Sequence, residues 1–274
     1  MSFTARPLAC MATALALAIP AQAFAVEPLD TFSVRLSGYV STFDTSVRAD
    51  GETERGTPVD LHRDLGLDKD NIIANIGLTW RPWEHHEFGL GYYTQSADKT
   101  RVTQRDIEFD GTLYQAQSTV RAESDIDAYE AYYVWWAASN ERWALGPRFG
   151  LVWYRLKLGL ALEVDANGNQ VGGSISNDVS ADLPAPTIGG SWRWAFHDDW
   201  RMSADAGYFS VNVNDVDGSV YFGRLGIEWF PWERSGFLLD YTISKIKVDA
   251  TKSDFDGNVD FKDSGLRLGY VYRF

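Results

Sequence analysis

From Phe32 to the last residue, Phe274, apolar side chains alternate with polar side chains and glycine at a period of two. That period belongs to β-strands whose two faces meet different surroundings. The last segment carries it most clearly. Leu266, Leu268, Tyr270, Tyr272 and Phe274 fall on one face, and Gly265, Arg267, Gly269 and Arg273 on the other. Ile72, Ala74, Ile76, Leu78 and Trp80 alternate in the same way with Asn75, Gly77 and Thr79. Phe32, Val34, Leu36 and Val40 alternate with Ser33, Arg35, Ser37 and Ser41. A soluble sandwich alternates too, so three further features have to choose.

The first is punctuation. Asp50-Gly51, Asp110-Gly111, Asn167-Gly168, Asp217-Gly218 and Asp256-Gly257 are hairpin signals, because both central residues of a type I′ turn need positive φ. Between them lie four other polar turns, at Glu84–Glu87, Ser139–Glu141, His197–Asp199 and Glu233–Ser235. The two sets interleave, which predicts ten antiparallel strands with both termini at one end; eight or twelve strands are the alternatives. The second feature is asymmetry. The Asp/Asn-Gly set includes long polar connections, 47–70 and 163–182, whereas the other set is uniformly tight. The third is the placing of tryptophan. Trp80, Trp83, Trp135, Trp136, Trp143, Trp192, Trp194, Trp200, Trp229 and Trp232 all lie near the tight turns, and of the 11 tryptophans only Trp153 does not. An indole, with an apolar body and one donor, suits a lipid–water boundary, so these ten read as an interface girdle. Long loops at one end and tight turns at the other are the layout of a closed transmembrane β-barrel in a bacterial outer membrane. The expected strands are 31–46, 71–81, 87–105, 115–137, 142–162, 183–196, 200–213, 219–230, 237–250 and 258–274.

Residues 1–25 differ in kind. Arg6 is their only charge, Leu8–Ile19 is an apolar run, and Ala21, Ala23 and Ala25 alternate behind Pro20. This is a secretory signal peptide with cleavage expected after Ala23 or Ala25, leaving 26–274 as one barrel domain. The run is too short for the ~20 residues of a spanning helix. Cys10, the only cysteine, leaves with it, so no disulfide or thiol chemistry is expected. Loss of Arg6 takes the formal charge from −13 to −14. Such acidity excludes nucleic acid as a partner, since phosphates need a basic face.

Leu268, Tyr270, Tyr272 and Phe274 end the chain on one face. They resemble the C-terminal signal through which the barrel-assembly machinery recognises outer-membrane barrels. Three further stretches, Asp60–Leu67, Phe109–Tyr114 and Leu183–Pro186, are similar to an uncharacterised gammaproteobacterial family of outer-membrane barrels. That resemblance implies fold and location and no activity.

With the apolar face toward lipid, the other face supplies a lumen charge network: Arg35, Arg148, Arg193, Arg224, Arg267 and Arg273 with Glu130, Asp205, Glu228 and Asp240. Ten strands enclose a space that side chains largely fill, so these charges are expected to pair. Gly77, Gly89, Gly91, Gly226, Gly265 and Gly269 make room for them. The network reads as a salt-bridge plug, with a narrow selective pore as the alternative. His62, flanked by Asp60, Asp64 and Asp68, is the one candidate for rim catalysis, and a short turn covering the mouth is the stronger reading. His85, His86 and His197 fall in tight turns. No Gly-x-Ser-x-Gly elbow is present, and neither catalysis nor a cofactor is expected. Asp254, Asp256, Asn258 and Asp260 alternate in the last hairpin and read as a solvated tip rather than a calcium or other metal site. Lys245 and Lys247 face outward near the rim, where lipopolysaccharide phosphates are candidate partners alongside outer-membrane lipid. A monomer is favoured. The leading expectation is a non-enzymatic barrel, structural or a narrow channel; surface binding or adhesion through loops 47–70 and 163–182 comes second, and a rim hydrolase third.

Overall fold

The computed structural model describes residues 25–50, 56–66, 70–165, 167–213, 216–252 and 255–274. The leader, with Arg6, Cys10 and the Ala23 cleavage position, lies outside the described residues, as do Gly51, Asp68 and Asp254.

Ten long strands form: β1 Phe32–Ala49, β2 Asp70–Trp83, β3 His86–Val102, β4 Thr119–Trp135, β5 Trp143–Val164, β6 Gln170–His197, β7 Trp200–Val213, β8 Val216–Trp232, β9 Ser235–Lys252 and β10 Phe255–Arg273. Each pairs antiparallel with its neighbours in chain order, and β10 closes on β1 with Ser33 opposite Arg273 and Ala49 opposite Gly257. The chain is therefore a closed, all-β, ten-stranded antiparallel barrel, whose edges are confined to the stretches that project beyond the closed wall. Closure satisfies the backbone hydrogen bonds within the wall, the condition for crossing lipid with strands.

The period-two reading assigns the faces. Leu36, Ile72, Leu90, Leu151, Leu225, Leu239 and Leu268 are exposed on the outer wall, whereas Arg148, Asp205, Glu228 and Asp263 are buried inside. The tight turns fall where expected and define the girdle end. The related stretches Trp80-Arg81-Pro82-Trp83 and Trp229-Phe230-Pro231-Trp232 each carry a register shift between their two tryptophans. Proline has no N–H to give to a ladder, so the strand bulges there.

The loop end departs from expectation. The stretch 163–182 is not a long loop. β6 begins at Gln170 and pairs with β5 as far as Gln170–Val164, so the two strands project as one hairpin. Beyond the membrane face neither side of a strand must be apolar, so alternation fades while backbone pairing persists. Of the Asp/Asn-Gly pairs, Asp110-Gly111 is a two-residue turn, with φ of 49° and 72°. It joins a miniature hairpin, Ile107–Phe109 with Thr112–Tyr114, rather than the long strands, so β4 starts at Thr119 and not at 115. Gly168, φ 83°, lies at the β5–β6 tip, where Asp165 accepts from the Asn167 and Asn169 amides. Asp217, Gly218, Asp256 and Gly257 already lie within paired strands. Connection 47–70 holds a two-residue strand, Val59–Asp60, that folds back onto Ser46 and Val47.

Candidate functional site

The interior is the candidate site, and four layers fill it. At the girdle end the segment before β1 enters the mouth. Val26 sits among Ala195, Phe230, Leu238 and Val271, while Leu29 packs on Val134, Trp136 and Ala144. Arg201 holds this segment. Its guanidinium donates to both Asp30 oxygens at 2.9 and 2.8 Å, to the Glu27 carbonyl at 3.2 Å, and to Glu228 at 2.6 Å. Burial works against a charged Asp30, but Arg201 outweighs it and holds this carboxyl down at about 2.

The second layer is the ionic lattice. Arg35 donates to Glu228 at 3.2 Å and to Thr79 at 2.6 Å. Arg148 reaches Glu130 at 2.6 Å, and Arg224 approaches the same carboxylate at 3.2 Å. Asp205 accepts from Arg193 at 2.8 Å and Ser191 at 2.7 Å. Arg267 donates to Asp240 at 2.8 Å. Arg273 lies over the Phe230 ring at 4.4 Å and 3.9 Å from Asp30. The structure thus pairs nine of the ten charges of the sequence-derived network with one another, and Arg273 lies instead against Asp30. Each of Glu130, Asp205 and Glu228 meets at least two guanidiniums, the arrangement under which buried charge is tolerated. The Tyr132 ring lies over Gly89, where any Cβ would collide with it, so this glycine makes room for a ring rather than for one of the charges.

A third layer is uncharged apart from one carboxylate. Asp263 accepts from Tyr39 at 2.6 Å and Tyr93 at 3.3 Å, beside Tyr154. The fourth is an apolar core at the loop end. Ile107, Phe109 and Tyr114 of the miniature hairpin descend into the barrel against Val59, Leu65, Leu160, Val259 and Phe261. Tyr114 anchors it by donating to the Leu160 carbonyl at 3.0 Å. Above this core the first two outer connections interlock. The Thr57 amide donates to the Glu108 carbonyl at 2.8 Å, and Arg105 donates to Asp64 at 2.7 Å. A cavity of about 60 Å³ lies within the ionic lattice, among Arg35, Glu130, Asp205 and Glu228, and one of about 50 Å³ in the tyrosine layer beside Asp263, with room for a few waters each.

Sequence reasoning missed Asp30, Glu87, Arg201 and Asp263. Three were detectable: Arg201 shares its face with Asp205, Asp263 with Arg267, and Glu87 with Gly89. Asp30 precedes the first strand and has no parity to reveal it. One girdle residue needs correction. Trp136 is wholly buried, and its indole N–H donates to Glu87 at 3.2 Å inside the barrel. Trp136 follows Val134 at the strand's period of two, on the parity of Glu130, so its ring falls on the inner face although β4 ends at Trp135. Trp80, Trp83, Trp135, Trp143, Trp194, Trp229 and Trp232 are exposed on the outer wall, with Trp192 and Trp200 partly so. Trp153 is no stray either, for it joins Tyr129, Tyr208 and Tyr221 in a second aromatic belt nearer the loop end.

At the rim, His62 lies in an exposed turn whose carboxylates are engaged. Asp60 accepts from the amides of His62 and Arg63, and Asp64 accepts from Arg63 and Arg105. Arg105 and Arg63 outweigh the burial of Asp64 and hold its carboxyl well below the usual range. Among the described residues no cluster of three or more His, Cys, Asp or Glu is placed to hold a metal. Asp260 pairs with Lys247 at 3.1 Å, and Asn258 donates to Asp249.

No protein-family model matches the chain, and no curated protein is similar to it in sequence. Solved structures do match. The outer membrane protease OmpT from Escherichia coli is similar over 90% of this chain and 97% of its own, with TM-score 0.59 and 11% identity. The toluene transporter TodX of Pseudomonas putida covers 90% of each chain at 8% identity and TM-score 0.39. Ail, the attachment invasion locus protein of Yersinia pestis, matches 89% of this chain and 100% of its own at 12% identity and TM-score 0.33. The likeness to OmpT is one of fold alone: a small outer-membrane barrel. These matches do not identify the gammaproteobacterial family.

Proposed function

We propose that this chain is an exported, monomeric outer-membrane barrel with a shut lumen, serving a structural or surface role rather than catalysis or transport. The observation that carries the reading is the filled interior. The N-terminal segment, the ionic lattice, the tyrosine layer and the apolar core follow one another along the axis, and the two cavities described among them measure about 60 and 50 Å³. A conducting barrel needs a continuous aqueous path, which larger barrels keep open.

The membrane location is supported by the two aromatic belts. From Trp143 to Trp153 on β5 is ten residues, which span about 25 Å along the axis at ~3.3 Å rise and ~40° tilt. That matches the apolar band of an outer-membrane barrel. With the tight turns in the periplasm, both termini lie there, and Leu268, Tyr270, Tyr272 and Phe274 are offered to the assembly machinery. The reading as a non-enzyme is supported at the rim by the commitment of Asp60 and Asp64 to a turn and an ion pair. Conductance of the refolded mature chain in a planar bilayer tests the proposal. We expect a folded barrel to be electrically silent; reproducible steps that change in an Arg148→Ala variant would overturn it. The projecting β5–β6 hairpin favours surface binding as the second reading, and silence leaves that hairpin as the exposed working part.

A further inference from the structure

The outer wall carries a groove of about 390 Å³ where the small side chain of Ala131 leaves a dent. Leu78, Leu90 and Leu151 line it toward the girdle end, and Tyr92, Tyr129 and Trp153 frame it toward the loop end. Its lining is almost wholly apolar, and a bilayer offers one thing that fills such a groove, an acyl chain.

What stands above the groove narrows the choice of lipid. Arg155, the next outward residue of β5 after Trp153, lies over the Tyr129 ring at 5.5 Å and the Trp153 ring at 6.0 Å. Lys157 follows, exposed, with no ion pair among the described residues. Asp127 stands opposite Arg155 on β4 and Asp125 opposite Lys157, while Asp182 of β6 is 3.7 Å from Arg155. The cations lie at the loop end, so a chain in the groove points from a headgroup at that rim toward the bilayer centre. This is the orientation of an outer-leaflet lipid. The cations suit phosphate, and carboxylates beside them suit a phosphate whose remaining charge is shared with divalent cations. Lys245 and Lys247 also face outward, but Lys247 is already paired with Asp260.

We propose that this groove holds one acyl chain of lipopolysaccharide, with a lipid phosphate on Arg155 and Lys157. The inference rests on the outer-membrane reading above. Native mass spectrometry of the full mature barrel, refolded in detergent with magnesium and either lipopolysaccharide or phosphatidylglycerol, tests it. Folding is scored separately by heat-modifiable migration and by insertion into vesicles. The expected result is one bound lipopolysaccharide, held roughly tenfold more tightly than phosphatidylglycerol. Arg155→Gln with Lys157→Gln removes that preference, Ala131→Leu fills the groove and does the same, and Ala206→Leu, elsewhere on the wall, leaves it intact. A folded wild type without the preference, or variants that keep it, would overturn the proposal. A chain that neither folds nor inserts would instead overturn the outer-membrane reading, and the lipid site with it.

Discussion

Replacing Arg201 with methionine removes the group that ties the N-terminal segment to the barrel wall, and its cost follows from the geometry. Arg201 is almost wholly buried and shared by two buried carboxylates, Asp30 and Glu228. Taking one partner from a buried ion pair costs about 3–5 kcal/mol, because the charge left behind is neither hydrated nor compensated. Here the remainder is not bare. Glu228 keeps Arg35 at 3.2 Å, and Asp30 keeps Arg273 at 3.9 Å. The loss therefore belongs at the lower end, about 3 kcal/mol, and falls on the girdle-end mouth. Urea unfolding of the mature barrel in vesicles, followed by tryptophan fluorescence, measures it. Hydrogen exchange at the Val26 amide, which donates to the Asp198 carbonyl at 2.7 Å, reports whether the segment has left the mouth. Adding Asp30→Asn to Arg201→Met removes the more weakly compensated of the two carboxylates and recovers part of the loss, whereas Glu228 must stay charged to hold Arg35. A single variant that loses under about 1 kcal/mol, or a double variant no more stable than the single, would refute the reasoning.

Two further outcomes are expected. Asp30 is held at about 2, below the ~3.9 of an unfolded aspartate, so its stabilisation is complete above about pH 4 and is lost as pH falls through about 2. Exchange at the Val26 amide should rise in that window and not above it, and Asp30→Asn should abolish the dependence; a release centred near pH 6 would assign the latch to another group. Trp136→Ala empties a buried site and should cost about 3–5 kcal/mol, whereas Trp135→Ala strips an outward ring and should cost less. Equal losses in paired urea titrations would put both rings in the same environment and contradict the inward placing of Trp136.

By itself the sequence determined the strands and their two faces. Period two is written locally, so Leu36, Ile76 and Leu268 could be assigned outward, and Arg35, Arg224 and Arg267 inward, without knowing any partner. The ten-strand count followed from the interleaved turns in the same local way, and the sorting of tryptophan pointed to a membrane. Only the tertiary structure decided which charges meet, because closure brings Arg35 to Glu228 and Arg224 to Glu130 across 193 and 94 positions of chain. It also decided everything that fills the lumen from outside the strand pattern. Asp30 and the hairpin of Ile107, Phe109 and Tyr114 lie beyond strand ends, where no periodicity marks a side chain as inward. Their positions are set by the space the closed wall leaves and by the polar and apolar surfaces lining it. Sequence periodicity specifies a wall; what plugs it depends on volume and charge that exist only once the wall has closed.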